Sequence, residues 1–315
     1  MKFSIATPVF NGMPALRRCI GSVMGQFPNG SRPVIRDRNT ATSIAVQHLI
    51  QDGGSKDGGV EFLQEFKTRH ATDCTYQFSY ISESDNGMYD AINRAWARSD
   101  GQILSWLNAD EQYLPGTLEK VSDYFEQHPG IDMVCGDYII VTADGVPVAA
   151  RRDIPLRKIF IINGFLYAAS CTLFYRRKLW ENGLLKLDTQ YKYSSDADLV
   201  LRLLSSGVKC GRIPEYLSIF GVEVGRNLSF SEAMKVESDI IKKKYGASSS
   251  RWKQRFFMML RHLERLWRGC YRRQAVRFNY VEDEEPTYRF IEKDDLGVRF
   301  TYDHFRANGK VNDEN

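Results

Sequence analysis

The chain has 315 residues, 43% of them hydrophobic and 26% charged. That is an ordinary globular composition, with room for one large domain and an appendage or for two small domains. A net charge of +4 says little about partners, and six cysteines and five histidines with no Cys-x-x-Cys pair argue against a structural zinc site and for reduced thiols in a cytoplasmic protein. No run of about 18 apolar residues is present to cross a membrane, and Met1 to Thr7 reads directly as a strand rather than a signal peptide.

Phe3–Val9 is a short apolar run that ends at Asn11-Gly12, a buried strand and its turn. Leu16, Cys19, Ile20 and Val23 lie at helical spacing within 14–24. Residues 26–42 are polar and irregular, a loop with a short strand near Val34-Ile35. Strands follow at 43–50, 77–82 and 103–107, alternating with helices at 60–67, 89–98 and from Pro115-Gly116 to His128. Two short strands, 133–135 and 138–141, precede a turn at Asp144-Gly145. Repeated strand–helix alternation implies a mainly parallel sheet with helices on both faces. Ligands of such sheets bind at the carboxyl ends of the strands.

Three polar motifs fall at candidate ligand positions. Asp52-Gly53-Gly54-Ser55-Lys56-Asp57-Gly58 has glycines that allow close backbone approach and acids that can accept from a base or ribose. A plain turn would explain it as well, and it lacks the Gly-Lys-Ser/Thr of a P-loop. Asn108-Ala109-Asp110-Glu111 follows an apolar strand and offers hard oxygen ligands for Mg²⁺ or Mn²⁺, or a helix cap. Ser194-Ser195-Asp196-Ala197-Asp198 opens an amphipathic helix, where one acid can cap and the other can act as a general base.

Taken in order with Thr7-Pro8-Val9-Phe10-Asn11 and Asp85-Asn86-Gly87-Met88-Tyr89-Asp90-Ala91-Ile92-Asn93, these motifs make the chain resemble the family 2 glycosyltransferases, closest to a bacterial branch. The likeness runs from about Lys2 to about Gly225. It implies the α/β, Rossmann-like GT-A fold, with a mainly parallel mixed sheet over residues 1–230. Residues 231–315 are expected as a helical, basic C-terminal extension with a polar tail. It also implies an inverting transferase that uses a nucleotide-diphosphate sugar and a divalent cation. The acceptor would be a hydroxyl of a glycan or lipid-linked carrier, in bacterial surface polysaccharide synthesis. By the same resemblance Thr7, Pro8 and Asn11 border the nucleotide, and Asp52 holds the base. Asp85, Asp90 and Asn93 wall the ribose and diphosphate. Asn108 and Asp110 belong to the metal motif, with Asp110 as the ligand. Asp196 is the catalytic base, Asp198 orders its helix, and 168–176 line the acceptor side.

The chain departs from the family pattern at four places. Asn108 stands where many relatives carry aspartate. Glu111 replaces an aspartate and is expected to reach the metal through water. The 26–42 loop is long, and Ser170-Cys171-Thr172 differs from the usual acceptor segment. Two rival functions are open to the same fold. A nucleotidyltransferase would need a glycine- and arginine-rich loop after the first strand, where Pro8-Val9-Phe10-Asn11-Gly12 stands. A catalytically inactive glycan-binding or scaffold protein on the same fold is opposed by the retained Asp52, Asp110 and Asp196. Residues 251–277 carry nine lysines and arginines against one acid, Glu264, with aromatic residues interleaved. That pattern predicts contact with an anionic membrane surface, against a packed helix with its arginines in solvent. No reading motif for nucleic acid accompanies the charge.

Overall fold

The computed structural model describes residues 1–27, 44–71, 75–222, 232–285 and 287–298. Strand β1 spans Lys2–Val9, and every residue from Phe3 on is buried. Its sequence lacks polar alternation because both faces are covered. Phe3, Ile5 and Val9 meet Leu16 and Ile20 of α1 (Ala15–Met24) and Phe62 and Phe66 of α2 (Gly59–Arg69). Ala6 faces the other layer, with Tyr89, Ile92 and Trp96 of α3 (Met88–Ala97).

Strands β2 (Ala45–Asp52), β3 (Tyr76–Ser82) and β4 (Ile103–Trp106) complete a parallel block in the order β3-β2-β1-β4. The register sets Val9 beside Asp52 and Asp52 beside Ser82. Leu107 N–H donates to the Ala6 carbonyl at 2.9 Å. All four strands therefore end along one edge, where the polar motifs begin.

The second half is mixed. It comprises β5 (Gln112–Tyr113), α4 (Thr117–Gln127), β6 (Met133–Thr142), β7 (Pro147–Arg151), α5 (Lys158–Ile162), a 3₁₀ turn (Ser170–Thr172), β8 (Phe174–Arg176), α6 (Lys178–Glu181), α7 (Ser195–Ser205) and β9 (Cys210–Val222). The sheet continues β4-β8-β6-β9-β5, with β7 on the free part of β6. Here β6–β9 is parallel and the pairs β4–β8, β6–β8, β6–β7 and β5–β9 are antiparallel. The two short strands expected at 133–141 are one strand, whose register against β9 slips around Gly136-Asp137. A Cβ on Gly136 would lie 2.3 Å from Leu217, so this glycine marks a close approach at a bulge and not a strand end.

The C-terminal extension is helical only at first. Helices α8 (Glu232–Lys244) and α9 (Arg251–Trp267) lead into an antiparallel hairpin, β10 (Gln274–Val281) and β11 (Tyr288–Leu296). Val276, Phe278, Tyr280 and Leu296 pack on Ile139, Val141, Ala150 and Ile219. The Gln112 side chain bonds both backbone groups of Val281, at 2.9 and 3.1 Å. Glu284 accepts from Arg17 of α1 at 2.7 Å and Arg69 of α2 at 3.2 Å. The expected boundary at residue 230 is thus bridged by core packing and ion pairs. Most of the 26–42 loop, with the strand expected at 34–35, lies outside the described residues. Among the described residues five cysteines are free thiols, and no helix is long and apolar enough to cross a membrane.

Candidate active site

The loops after β1 and β2 are stitched together by their own polar side chains. Asn11 adopts a left-handed backbone (φ 49°), which asparagine tolerates better than most residues. Its N–H donates to Ser55 Oγ at 2.7 Å, and its Oδ1 accepts from Lys56 N–H at 2.9 Å. Asp57 accepts from Met13 N–H at 2.8 Å and from Gly59 N–H at 3.1 Å. Asp52 is buried at the end of β2. Its Oδ2 accepts from Gly54 N–H and Ser55 N–H, both at 3.0 Å, and from Ser82 Oγ at 2.6 Å, while Ser55 Oγ donates to Oδ1. A Cβ on Gly53 would sit 3.2 Å from Asp85 Oδ2 and 3.3 Å from Phe10 Cδ2. The glycine therefore leaves a slot between an acid and an exposed aromatic ring.

The third loop is braced similarly. Asp85 Oδ1 accepts from Gly87 N–H at 2.8 Å. Asp90 accepts from Asn86 N–H at 3.0 Å and pairs with Arg94 at 2.8 Å. Asn93 is buried and exchanges two hydrogen bonds with the backbone of Leu187, at 2.8 and 2.9 Å. Asp90 and Asn93, expected to wall the ribose and diphosphate, thus also brace the scaffold. Thr7 and Pro8 are buried as well. The Thr7 hydroxyl bonds His48 Nε2 at 2.9 Å, so its side chain faces the core and not the cleft. His48 also bonds Tyr76 Oη at 2.7 Å, and burial pushes its pKa down to about 3, which keeps the ring neutral.

The turn after β4 joins this shelf. A Cβ on Gly12 would touch Ala109 Cβ at 3.4 Å, and one on Gly221 would meet the Asp110 carbonyl at 2.4 Å. Asp110 is exposed. Asn108 Oδ1 is buried with no donor among the described residues. Glu111 turns away from the cleft: it is buried, and its Oε2 accepts from Asn108 N–H at 2.8 Å. Burial first, then the neighbouring Asp110 charge, push its pKa up to about 8. The expected water-mediated reach of Glu111 to a metal therefore starts from a buried carboxyl, whose Oε1 has no hydrogen-bond partner among the described residues. Among the described residues no three acids, cysteines or histidines cluster as a metal cage. The fit to a hard cation rests on Asp110 and the orphaned Asn108 oxygen, with diphosphate oxygens filling the other positions.

Helix α7 supplies the remaining acid. Asp196 is half-buried in its first turn and accepts from Ala197 N–H at 2.9 Å and from Tyr89 Oη at 3.5 Å. Burial pushes its pKa up to about 6, and the Glu237 charge adds to the rise. Two residues on, Asp198 is fully buried. It takes Lys244 Nζ at 2.8 Å and Tyr245 Oη at 3.0 Å, with Arg202 at 3.5 Å, so it ties α7 to α8.

The sequence reading missed Glu237 of α8. Its two carboxylate oxygens accept from Lys192 N–H and Tyr193 N–H, both at 2.8 Å, and from Ser194 N–H at 3.1 Å. It holds the chain that enters α7. No local motif marks it, because the partner backbone lies more than forty residues upstream. The expected acceptor segment 168–176 is mostly interior: Cys171, Thr172, Leu173, Phe174 and Tyr175 are buried, leaving Ala168, Ser170 and Arg176 partly exposed. Phe174 to Arg176 forms a strand inside the sheet.

The sequence model of Glycosyl transferase family 2 matches residues 4–183, more than half of the chain. A PGL/p-HBAD biosynthesis glycosyltransferase of Mycobacterium bovis is 25% identical over 205 residues, which are 65% of this chain and 70% of that protein. Glycosyltransferase AglE of Haloferax volcanii is 26% identical over 155 residues, 48% of this chain and 43% of its own. Among solved structures, S. aureus TarS 1–349 in complex with UDP-GlcNAc superposes with a TM-score of 0.57 and 16% identity, over 84% of this chain and 73% of that one. Against the longer TarS chain the match spans 44% of its length. The likeness to TarS shows the fold, the expected GT-A arrangement.

Proposed function

The chain belongs to glycosyl transferase family 2 and is a glycosyltransferase; from that premise we propose that it transfers a sugar from a nucleoside-diphosphate donor, with inversion, to a hydroxyl of a glycan or lipid-linked acceptor. The observation that carries this reading is Asp196: a half-buried acid opening a helix, with a pKa raised to about 6. Such a carboxylate is ionised at neutral pH yet more basic than an ordinary one, which suits a general base. It takes the acceptor hydroxyl's proton as that oxygen bonds to the anomeric carbon. The bond from that carbon to the phosphate oxygen breaks, and the diphosphate leaves with the electron pair. Attack opposite the leaving group in one displacement inverts the anomeric centre.

On the donor side, the slot beside Gly53, between Phe10 and Asp85, takes the nucleoside. Asp52 shapes the turn, and its Oδ1, which accepts only from Ser55 Oγ among the described residues, keeps a lone pair for a base N–H. Asp110 and Asn108 would hold a divalent cation, Mn²⁺ or Mg²⁺, whose contribution when bound is to neutralise the leaving diphosphate. The likeness to a PGL/p-HBAD biosynthesis glycosyltransferase supports a biosynthetic role for the transfer.

A thermal-shift screen of nucleoside diphosphates with Mn²⁺ tests the donor reading. A ligand of the folded state stabilises it by mass action, by about 2.7 kcal/mol at a hundred times its dissociation constant, and so raises the melting temperature. The wild type should respond to at least one diphosphate, and Asp110→Ala should lose the Mn²⁺-dependent part of the shift. No response to any diphosphate at millimolar concentration would overturn the donor assignment.

A further inference from the structure

Helix α9 packs the wrong way round for an amphipathic helix on a soluble domain. Such a helix normally buries its apolar stripe and leaves its charges in water. Here Arg261 and Arg265 are the buried residues of the helix. Arg261 pairs with Asp153, and Arg265 lies 3.5 Å from the same carboxylate. The Arg261 guanidinium stacks 4.2 Å from the Tyr167 ring, and Arg265 stacks 4.3 Å from Tyr271. Arg265 also donates to Tyr271 Oη at 2.8 Å and to the Arg152 carbonyl at 3.1 Å. Met258 presses against Gly164, where an added Cβ would lie 2.3 Å from its sulfur. This set of contacts fixes the rotation of the helix about its axis.

The opposite face is consequently left outside. Phe256, Met259, Leu263 and Leu266 are exposed along its middle, and Trp252 and Trp267 near its ends are each 82% exposed. They recur at intervals of three and four residues, one continuous stripe. Arg251, Lys253 and Arg255 flank the N-terminal half of the stripe and are exposed, as is Arg268 just past the C-terminal end. The single acid of the helix, Glu264, is already held by Arg157 at 2.9 Å and Arg268 at 3.0 Å. The exposed rim is therefore cationic. Isolated surface leucines are commonplace, but a contiguous stripe of this kind marks an interaction surface. The indole rings near its ends suit a boundary between apolar and wet phases.

We propose that α9 lies in the interface of an anionic membrane, its Trp252–Trp267 stripe among the acyl chains and its arginines and lysines against the lipid headgroups. A second copy of the chain would present the same cationic rim and so meet it with like charge, whereas anionic headgroups complement it. The orientation places the whole domain on the membrane by one edge, without a spanning segment. It is independent of which sugar is transferred, because it depends only on the outward face of α9. The sequence alone pointed to membrane contact but treated all the arginines as available. The structure removes Arg261 and Arg265 from that role and assigns it to the stripe and its rim.

The test is sedimentation of the full chain with vesicles of phosphatidylglycerol and phosphatidylcholine in equal parts, and with phosphatidylcholine alone, at low and high salt. The expected result is binding to the anionic vesicles that weakens with salt, with a blue shift of tryptophan emission. Each basic side chain near the surface contributes roughly fivefold to partitioning. Arg251→Ala with Arg255→Ala should therefore weaken binding by about twenty-five-fold. Trp252→Ala with Trp267→Ala should abolish the blue shift and most of the sedimentation. Both tryptophans are exposed, so this variant should melt with the wild type, and its nucleoside-diphosphate response should be intact. Recovery of the wild type in the supernatant at low salt would overturn the proposal, as would equal sedimentation of wild type and tryptophan variant. Concentration-dependent dimerisation without vesicles, lost in the tryptophan variant, would also overturn it by assigning the stripe to a second copy.

Discussion

Asp196→Asn should cut turnover sharply and at the same time stabilise the fold at neutral pH. The pKa of Asp196 stands near 6 in the folded chain, against about 3.9 for an unperturbed aspartate. Between those values the unfolded state has released the proton and the native state still holds it. Stability contributed by the protonated side chain is therefore complete below about pH 4 and is lost as pH rises to about 6. Two pKa units correspond to about 3 kcal/mol at 1.36 per unit, and partial contact with water brings the expectation to about 1–3 kcal/mol. Asparagine removes the charge but keeps an oxygen for Ala197 N–H. Urea melts at pH 7.5 and pH 4 measure the stability, and initial rates at saturating donor measure turnover. The variant should be the more stable protein at pH 7.5, with the gap closing at pH 4. Its turnover should fall by about 10²-fold or more with donor KM unchanged. Wild-type turnover should drop about tenfold per pH unit below pH 6. A variant less stable at both pH values, with turnover reduced only by its unfolded fraction, would make Asp196 a helix cap and refute the assignment.

Glu237→Gln should lower kcat without changing donor affinity, and it should move the acid limb of the rate profile to lower pH, because removing the neighbouring charge lowers the pKa of Asp196; Tyr89 and Tyr175, the other titratable groups facing Asp196, are unaltered in that variant. An unmoved limb would reduce Glu237 to a loop tie. Asp198→Asn leaves Lys244 and Arg202 without their buried partner and should cost about 3 kcal/mol in urea melts, while the acid limb stays near pH 6 in the protein that remains folded. Glu111→Gln should be at least as stable as wild type at pH 7, because the native carboxyl is held protonated with a pKa near 8; the wild type loses stability relative to it from about pH 4.5 up to about pH 8, and a Gln variant that is less stable at pH 8 would contradict that picture.

The first half of the fold was legible because its strands are short, apolar and separated by helices of clear period. Expected and observed bounds for β1 to β4 and α1 to α4 differ by a few residues. The second half was less legible for a physical reason. Strand β9 is thirteen residues long but carries Pro214-Glu215 at its bulge, both exposed, so its sequence looks interrupted. Gly136 in β6 reads as a turn, although it is there to let Leu217 approach. The β10–β11 hairpin is rich in charge because only one side of it meets the core, through Val276, Phe278 and Tyr280. Helix α9 inverts amphipathic reasoning, since Arg261 and Arg265 are inside and both of its tryptophans outside.

The site motifs gather along one edge of the sheet, but their sequence does not tell ligand-facing groups from scaffold. What separates the two is the capacity left over after the protein's own donors are satisfied. Asp90, Asn93 and Asp198 are spent on Arg94, Leu187 and Lys244, and the Thr7 hydroxyl on His48. Asn108 keeps a buried oxygen with no donor among the described residues, and Asp196 holds one short hydrogen bond and one long one. Such under-used oxygens carry an energetic cost in the free protein that a substrate, a cation or a proton can offset. Asp196 and Asp198 make the contrast sharpest. They sit on one turn of one helix with the same chemistry, yet one is neutralised by a lysine and an arginine while the other is left with a raised pKa. The difference comes from α8, whose Lys244 claims the second acid and whose Glu237 faces the first. Burial supplies most of the rise at Asp196 and the Glu237 charge adds to it, so under the proposed mechanism the C-terminal extension tunes the catalytic acid as well as bracing its helix.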